Sequence, residues 1–293
     1  MNRGGDRHLQ APDGTRIHYY CFEPTEARAP AFLFIHGLGS NWTRWKRLAE
    51  EPFFKPFRRI VPDLRGHGDS VARRGIDADG FAADLELILK QEGADRPIVV
   101  GHCLGANIAV RLWERIPDKI MALVLIEPFI TEDLQRTWKV LHAILGPLLS
   151  GIGWLVKALN LLGFRRTRFR RIDYSVYDDW VRSRLTNWVN VIRFMGPWMD
   201  LQCMPVAGYI ASYRVLFRYR PPWRAIRGPV LALIAQQGGV LSPESDGHPL
   251  NRPGVRTVGI QASHFVLTDN REGVVRRIQA FVNDLQRDET WKN

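Results

Sequence analysis

The stretch Arg96–Val110, RPIVVGHCLGANIAV, decides the reading of the chain. A β-branched run ends in Gly101-His102-Cys103-Leu104-Gly105 and passes at once into an alanine-containing helical pattern. A side chain on such a sharp strand-to-helix turn stands at a helix N-terminus, where the dipole and free N–H groups favour an anion. Its neighbours two positions away approach one another, and glycine at 101 and 105 removes the Cβ atoms that would collide. Cys103 therefore stands where a catalytic elbow carries its nucleophile, a position that serine usually occupies. For the pentapeptide alone, the competing reading is a small buried cysteine at a tight turn.

Outward from this turn, short apolar runs of strand length alternate with helical patterns. RIHYYCF (from Arg16), AFLFIHG (from Ala31), RRIVPDL (from Arg58), PIVVGHC (from Pro97) and ALVLIEP (from Ala122) come first, and PVLALIA (from Pro229) and VRTVGI (from Val255) follow after a long interval. Runs without strict alternation suit strands buried on both faces. Ala82–Gln91, Leu104–Ile116 and Val274–Leu285 fit amphipathic helices. The expected fold is α/β, a mostly parallel sheet covered by helices on both faces. Residues 1–128 and 228–293 form that core.

Residues 129–227 lack clear strand alternation, and a structureless loop of that length is implausible in a compact domain. They predict a helical lid over the carboxyl edge of the sheet. The segment contains VLHAILGPLLSGIGWLVKALNLLGF from Val140, followed by RRTRFRR from Arg165. Gly146, Pro147, Gly151, Gly153 and Lys157 interrupt the apolar block, which argues against a membrane-spanning helix and for a cap over a hydrophobic pocket. The basic flank makes peripheral contact with an anionic membrane the second reading, and a solvated helix face the bland one.

The 293 residues carry 45% hydrophobic and 24% charged residues, an ordinary globular balance. Cys21, Cys103 and Cys203 are too widely spaced for a zinc pattern or a disulfide framework, and the opening MNRGGDRHLQAPDG has no apolar segment, so a cytoplasmic location is expected. The net charge of +11 admits an acidic acyl carrier protein, coenzyme A phosphates or anionic lipid as partners. No nucleic-acid-binding motif accompanies it.

FLFIHGLGSNW, from Phe32, ends another strand run in a glycine-bearing loop. In an elbow enzyme the oxyanion is held by two backbone amides, one following the nucleophile and one from this loop, here Leu104 and Leu38. HGLG at His36, DLRGHGDS at Asp63–Ser70, GHCLG at Gly101 and ASHFV at Ala262–Val266 together resemble the α/β-hydrolase superfamily over nearly the whole chain. The resemblance implies that His264 is the catalytic base, and that His36, His67 and His102 are structural.

The chain departs from the superfamily pattern twice. Cysteine replaces serine at 103, as in the superfamily's dienelactone hydrolases and polyhydroxyalkanoate synthases. Gly238 stands where family members commonly carry the triad aspartate. The resemblance offers Glu127, at the end of ALVLIEP, because some members draw their acid from that strand. Asp246 with its neighbour Glu244, or no acid at all, are the alternatives. A thiol that is already ionised beside an imidazolium depends less on a third group than serine does, so the two departures are chemically compatible.

These residues imply a hydrolase that cleaves a hydrophobic ester, thioester or lactone through an acyl-cysteine, with no metal or organic cofactor. An acyltransferase or cyclase with the same chemistry, and a non-catalytic binding protein of the same fold, are the alternatives.

Overall fold

The computed structural model describes residues 4–26, 28–72, 74–131, 136–164, 166–182, 197–237 and 249–287. Eight strands form one sheet: β1 (Gly4–Gln10), β2 (Arg16–Phe22), β3 (Arg28–Ile35), β4 (Phe57–Pro62), β5 (Ile98–His102), β6 (Ala122–Ile126), β7 (Val230–Ala235) and β8 (Val255–Ile260). Their order is β1-β2-β4-β3-β5-β6-β7-β8. β2 runs antiparallel to both its neighbours, and β4 through β8 are parallel.

Burial on both faces explains the continuous apolar runs. In β3, Leu33 and Ile35 join one core layer while Phe32 and Phe34 join the other, and Val99 opposes Ile98 and Val100 in β5 in the same way. Helices α2 (Ala78–Gln91) and α3 (Leu104–Arg115) cover the first layer through Leu85, Ile88, Ile108 and Leu112. Helices α1 (Thr43–Ala49) and α9 (Arg271–Arg287) cover the second through Trp45, Leu48, Ile278 and Phe281. The Asp77 side chain accepts from the Gly80 amide at 2.7 Å and caps α2, which starts at Ala78, four residues before the apolar period becomes visible at Ala82.

β1 is a strand that hydrophobic patterning does not reveal. It is an edge strand of mostly polar residues, with Leu9 alone fully inside, and its order comes from backbone pairing with β2.

Between β6 and β7 the described chain is helical: α4 (Arg136–Leu161), α5 (Tyr174–Arg182), α6 (Pro197–Cys203) and α7 (Val206–Arg218). Specific contacts bind these helices to the core. Asn41 donates to the Ile172 carbonyl at 2.8 Å, the Tyr174 amide donates to the Thr43 hydroxyl at 2.8 Å, and the Tyr174 hydroxyl donates to the Gly39 carbonyl at 2.7 Å. Arg44 meets Asp178 at 2.6 Å and lies over the Tyr174 ring. Among the described residues no helix is long and apolar enough to cross a membrane.

Candidate active site

In a parallel sheet the strand ends at the carboxyl edge are where side chains from distant segments meet. Cys103 sits there at φ +53°, ψ −115°, which for a non-glycine residue stores about 1–3 kcal/mol of strain. Its amide donates to the Ile126 carbonyl at 3.0 Å, and its carbonyl accepts from Ala106 at 3.0 Å as α3 begins. A Cβ on Gly101 would run into the Gly105 carbonyl, and one on Gly105 into the carbonyls of Ile35 and His36. Both elbow glycines are therefore required by close backbone approach.

The loop after β3 lies directly beside the elbow, since a Cβ on Gly37 would stand 3.3 Å from the Cys103 Cβ. His36 is spent on holding that loop: its Nδ1 donates to the Gly37 carbonyl at 2.7 Å, and its Nε2 accepts from the Leu64 amide at 3.0 Å. Burial pushes its pKa well down, so it is neutral. Leu38 follows Gly37 in this loop, and Leu104 follows Cys103 as the first residue of α3.

His264 approaches from the loop between β8 and α8 (Val266–Asp269). The Ser263 amide and hydroxyl both donate to Asp269, at 2.9 and 2.5 Å, which shapes that loop. The His102 Nε2 donates to the His264 carbonyl at 2.9 Å, with the two rings 5.0 Å apart. Burial drives the His102 pKa down to about 3, so His102 positions its neighbour as a neutral ring.

The third group is Glu127. Its carboxylate is fully buried at the end of β6, with Oε2 3.2 Å from His264 Nδ1 and Oε1 accepting from the Ala235 amide at 2.6 Å. Its amide donates to the Leu233 carbonyl at 2.9 Å, and its φ of +46° turns the side chain toward the histidine. On the far side of the turn, Asn107 exchanges two hydrogen bonds with the Phe129 backbone, at 2.9 and 3.0 Å, tying this segment to α3. With Nδ1 facing Glu127, Nε2 is the nitrogen left for Cys103, which lies close enough to act on the imidazole charge. Burial alone would lower the imidazole pKa, but Cys103 and Glu127 override it and raise it to about 10.

The fold has counterparts in known proteins. Residues 30–145 match the family model described as alpha/beta hydrolase fold. The enol-lactonase of Burkholderia xenovorans superposes with a TM-score of 0.69 at 17% identity, covering 94% of this chain and all of that one. The chain has the α/β-hydrolase fold. In sequence, the chain is 34% identical over 113 residues to lipase LipV of Mycobacterium tuberculosis, a match that spans 39% of this chain and 42% of the lipase. It is 23% identical over 269 residues to the N-formylmaleamate deformylase of Pseudomonas putida, covering 89% and 90% of the two chains.

The placement of the expected residues is as follows. The structure brings Cys103, His264 and Glu127 together and sets the Leu38 loop against them. Gly238, Glu244 and Asp246 lie outside the described residues, so among the described residues Glu127 is the acid that meets His264.

Two residues of the helices between β6 and β7, which hydrophobic patterning passes over, also reach this site. Asp200 on α6 packs its carboxylate against Gly39, one residue beyond Leu38, where any Cβ would collide with it. Burial raises its pKa to about 7, against a partial offset from Arg44. Tyr209 on α7 lies within electrostatic reach of both Asp200 and Cys103, and burial raises its pKa too. One lone acid in the apolar stretch PWMDLQC was the available signal for Asp200.

A second cluster, His18, Asp63 and Asp69, groups potential metal-ligand atoms. Its lone pairs are already engaged. Asp63 accepts from the Trp42 amide at 2.8 Å, the Asp69 amide at 2.9 Å and His18 Nδ1 at 2.8 Å, while His18 Nε2 faces Asp6 at 2.8 Å. Burial would lower the His18 pKa, but these two carboxylates raise it, and the cluster is a hydrogen-bonded brace joining β1, β2 and the segment after β4.

Proposed function

We propose that the chain is a hydrolase that cleaves a hydrophobic ester, thioester or lactone through an acyl-cysteine. The observation that carries this reading is the meeting of Cys103, His264 and Glu127 at the carboxyl edge of the sheet, with Glu127 hydrogen-bonded to His264, beside the Leu38 loop. The relatives support the reaction class, being named a lipase, a deformylase and an enol-lactonase. The apolar lid supports a hydrophobic acyl group.

In the first half-reaction the Cys103 thiolate adds to the carbonyl carbon, and the carbonyl oxygen takes the negative charge. Amides of Leu38 and Leu104 donate to that oxyanion. As the tetrahedral adduct collapses, the bond to the leaving oxygen or sulfur breaks, and the His264 imidazolium gives that atom its proton. In the second half-reaction the neutral imidazole takes a proton from water as it adds to the thioester carbonyl. Collapse releases the carboxylic acid and the Cys103 thiolate, with His264 again protonated. Glu127 keeps Nδ1 protonated and compensates the imidazolium charge throughout.

An acyl-cysteine is a thioester, which an amine or alcohol accepts more readily than it accepts an acyl-serine, so transfer to such an acceptor is the competing outcome. Intact-mass spectrometry with a panel of acyl esters and thioesters tests both. The hydrolase reading expects an acyl adduct on wild-type chain, its absence in Cys103→Ala, and free acid as the product. Amide or ester products in excess of free acid would replace hydrolysis by transfer, and no adduct with any member of the panel would favour a non-catalytic binding role.

A further inference from the structure

Helix α4 has two unlike faces. On one, Gly153 is buried against Ile210 of α7, with a Cβ at that position only 3.2 Å from the Ile210 side chain. On the other, Leu148, Ile152, Leu155 and Leu159 recur at intervals of four, three and four residues and form one continuous stripe. Stripes with that period ordinarily face a core. This one faces water: Leu148 and Leu155 are 59% and 61% exposed, and Ile152 and Leu159 are each 39% exposed. Trp154 (72%), Leu162 (73%) and Phe164 (71%) widen the patch toward its C-terminal end.

Directly beyond it the chain turns basic. Arg166, Arg168, Arg170 and Arg171 are exposed, and from Leu134 to Ile172 eight Lys and Arg residues occur without a single Asp or Glu. This run follows the apolar stripe in the chain and is held against α6. Arg166 donates to the Leu201 carbonyl at 3.0 Å and lies over the Phe169 ring, and the Arg170 amide donates to the Gln202 carbonyl at 2.9 Å, both on α6. The result is a fixed surface with an apolar stripe, aromatic side chains at its edge and a cationic border.

We infer that this face of the lid docks on an anionic lipid bilayer, with the α4 stripe lying in the interface and the arginines among the headgroups. Charge complementarity selects this occupant. A second copy seated on the same face would bring two arginine-rich borders together, which repel even though Arg171 is paired with Asp69 at 2.9 Å. Trp and Phe at the junction of apolar and basic surface suit the headgroup level, where one side of the ring is apolar and the other wet. An interfacial helix buries its apolar face about 5–10 Å deep, within reach of the leucine and tryptophan side chains of α4. The inference stands on the surface alone and does not depend on the reaction proposed for Cys103.

Co-sedimentation of the full chain with vesicles tests it. Vesicles of phosphatidylcholine with about a third phosphatidylglycerol should pellet the protein at about 0.1 M salt and release much of it at about 1 M, while phosphatidylcholine alone should pellet little. Arg168→Ala and Arg170→Ala should each weaken partitioning by about fivefold. Leu155→Ser with Leu162→Ser should weaken it by about tenfold or more. Unchanged circular dichroism and melting temperature establish that each variant is folded, and the arginine variants, changed at exposed positions, serve if the serine pair is not. No pelleting with the anionic vesicles overturns the inference. Pelleting that ignores both sets of substitutions also overturns it, as does a dimer in light scattering that Leu155→Ser dissociates.

Discussion

Glu127 reaches His264 from the end of β6, the strand that neighbours β5, which leads into Cys103, with Oε2 3.2 Å from Nδ1. The same carboxylate accepts from the Ala235 amide of β7, so it is held at both oxygens before any substrate binds. In Glu127→Gln the amide oxygen can keep the Ala235 bond, but no negative charge remains beside the imidazole. The expected result is a folded protein whose kcat falls by about ten- to a hundredfold, less than a serine enzyme would lose, because a thiolate needs less help from its base. Steady-state kinetics on a soluble acyl thioester checks this, and unchanged activity would remove Glu127 from the mechanism.

The raised pKa of His264 sets an alkaline limit. A histidine whose folded pKa lies above its unfolded value stabilises the fold fully below about 6.5, and that contribution is lost as pH rises toward about 10. Activity should follow the same proton, because neutral His264 cannot protonate the leaving group in the first half-reaction. The expected pH profile of kcat/KM falls above about 10, and in Glu127→Gln the fall moves to lower pH. A profile in which the two proteins coincide would show that Glu127 does not charge-stabilise the imidazolium.

The three thiols should differ sharply in reactivity. Burial and Glu92 push Cys21 up to about 12, and burial and Asp200 push Cys203 up to about 11. Cys103 has an imidazolium partner at a helix N-terminus. Brief treatment with iodoacetamide at neutral pH, followed by peptide mass mapping, should label Cys103 at least about tenfold faster than either of the others. Equal rates would speak for an inert cysteine at the turn.

In the proposed mechanism, ionised Asp200 opposes the oxyanion. Its carboxylate packs on Gly39 beside the Leu38 amide, so its negative charge disfavours a developing oxyanion there. Its pKa of about 7 lies above the unfolded value of 3.8, so the fold loses stability as pH rises from about 4 through about 7. Asp200→Asn should therefore raise the melting temperature at pH 8 but not at pH 4, and should lift kcat/KM above pH 7 by about threefold or more. Equal melting shifts at both pH values would contradict the buried-charge assignment.

Gly105→Ala tests the elbow itself. The added methyl would meet the carbonyls of Ile35 and His36, which are fixed in the β3 end, so urea unfolding should show a loss of about 3 kcal/mol or more. A loss below about 1 kcal/mol would mean that the turn can open.

Much of this was legible along the chain because it is local. Strand runs buried on both faces look alike wherever they occur, and seven of the eight strands were visible as apolar runs. β1 was not, because an edge strand ordered by backbone pairing needs few apolar side chains. Asp200 was hidden for a different reason: one acid in an apolar stretch is visible, but what it faces is not.

The amino-acid sequence by itself determined the elbow, since glycine at 101 and 105 around Cys103 answers a steric demand within five residues, and it narrowed the acid to a short set. Only the tertiary structure decided that Glu127 stands against His264, that Asp200 and Tyr209 reach the same site, and that the α4 stripe faces outward. Each is a contact or an exposure between segments far apart in the chain. Such relationships depend on how strand ends and lid helices are brought together in space, and residue spacing carries no record of that.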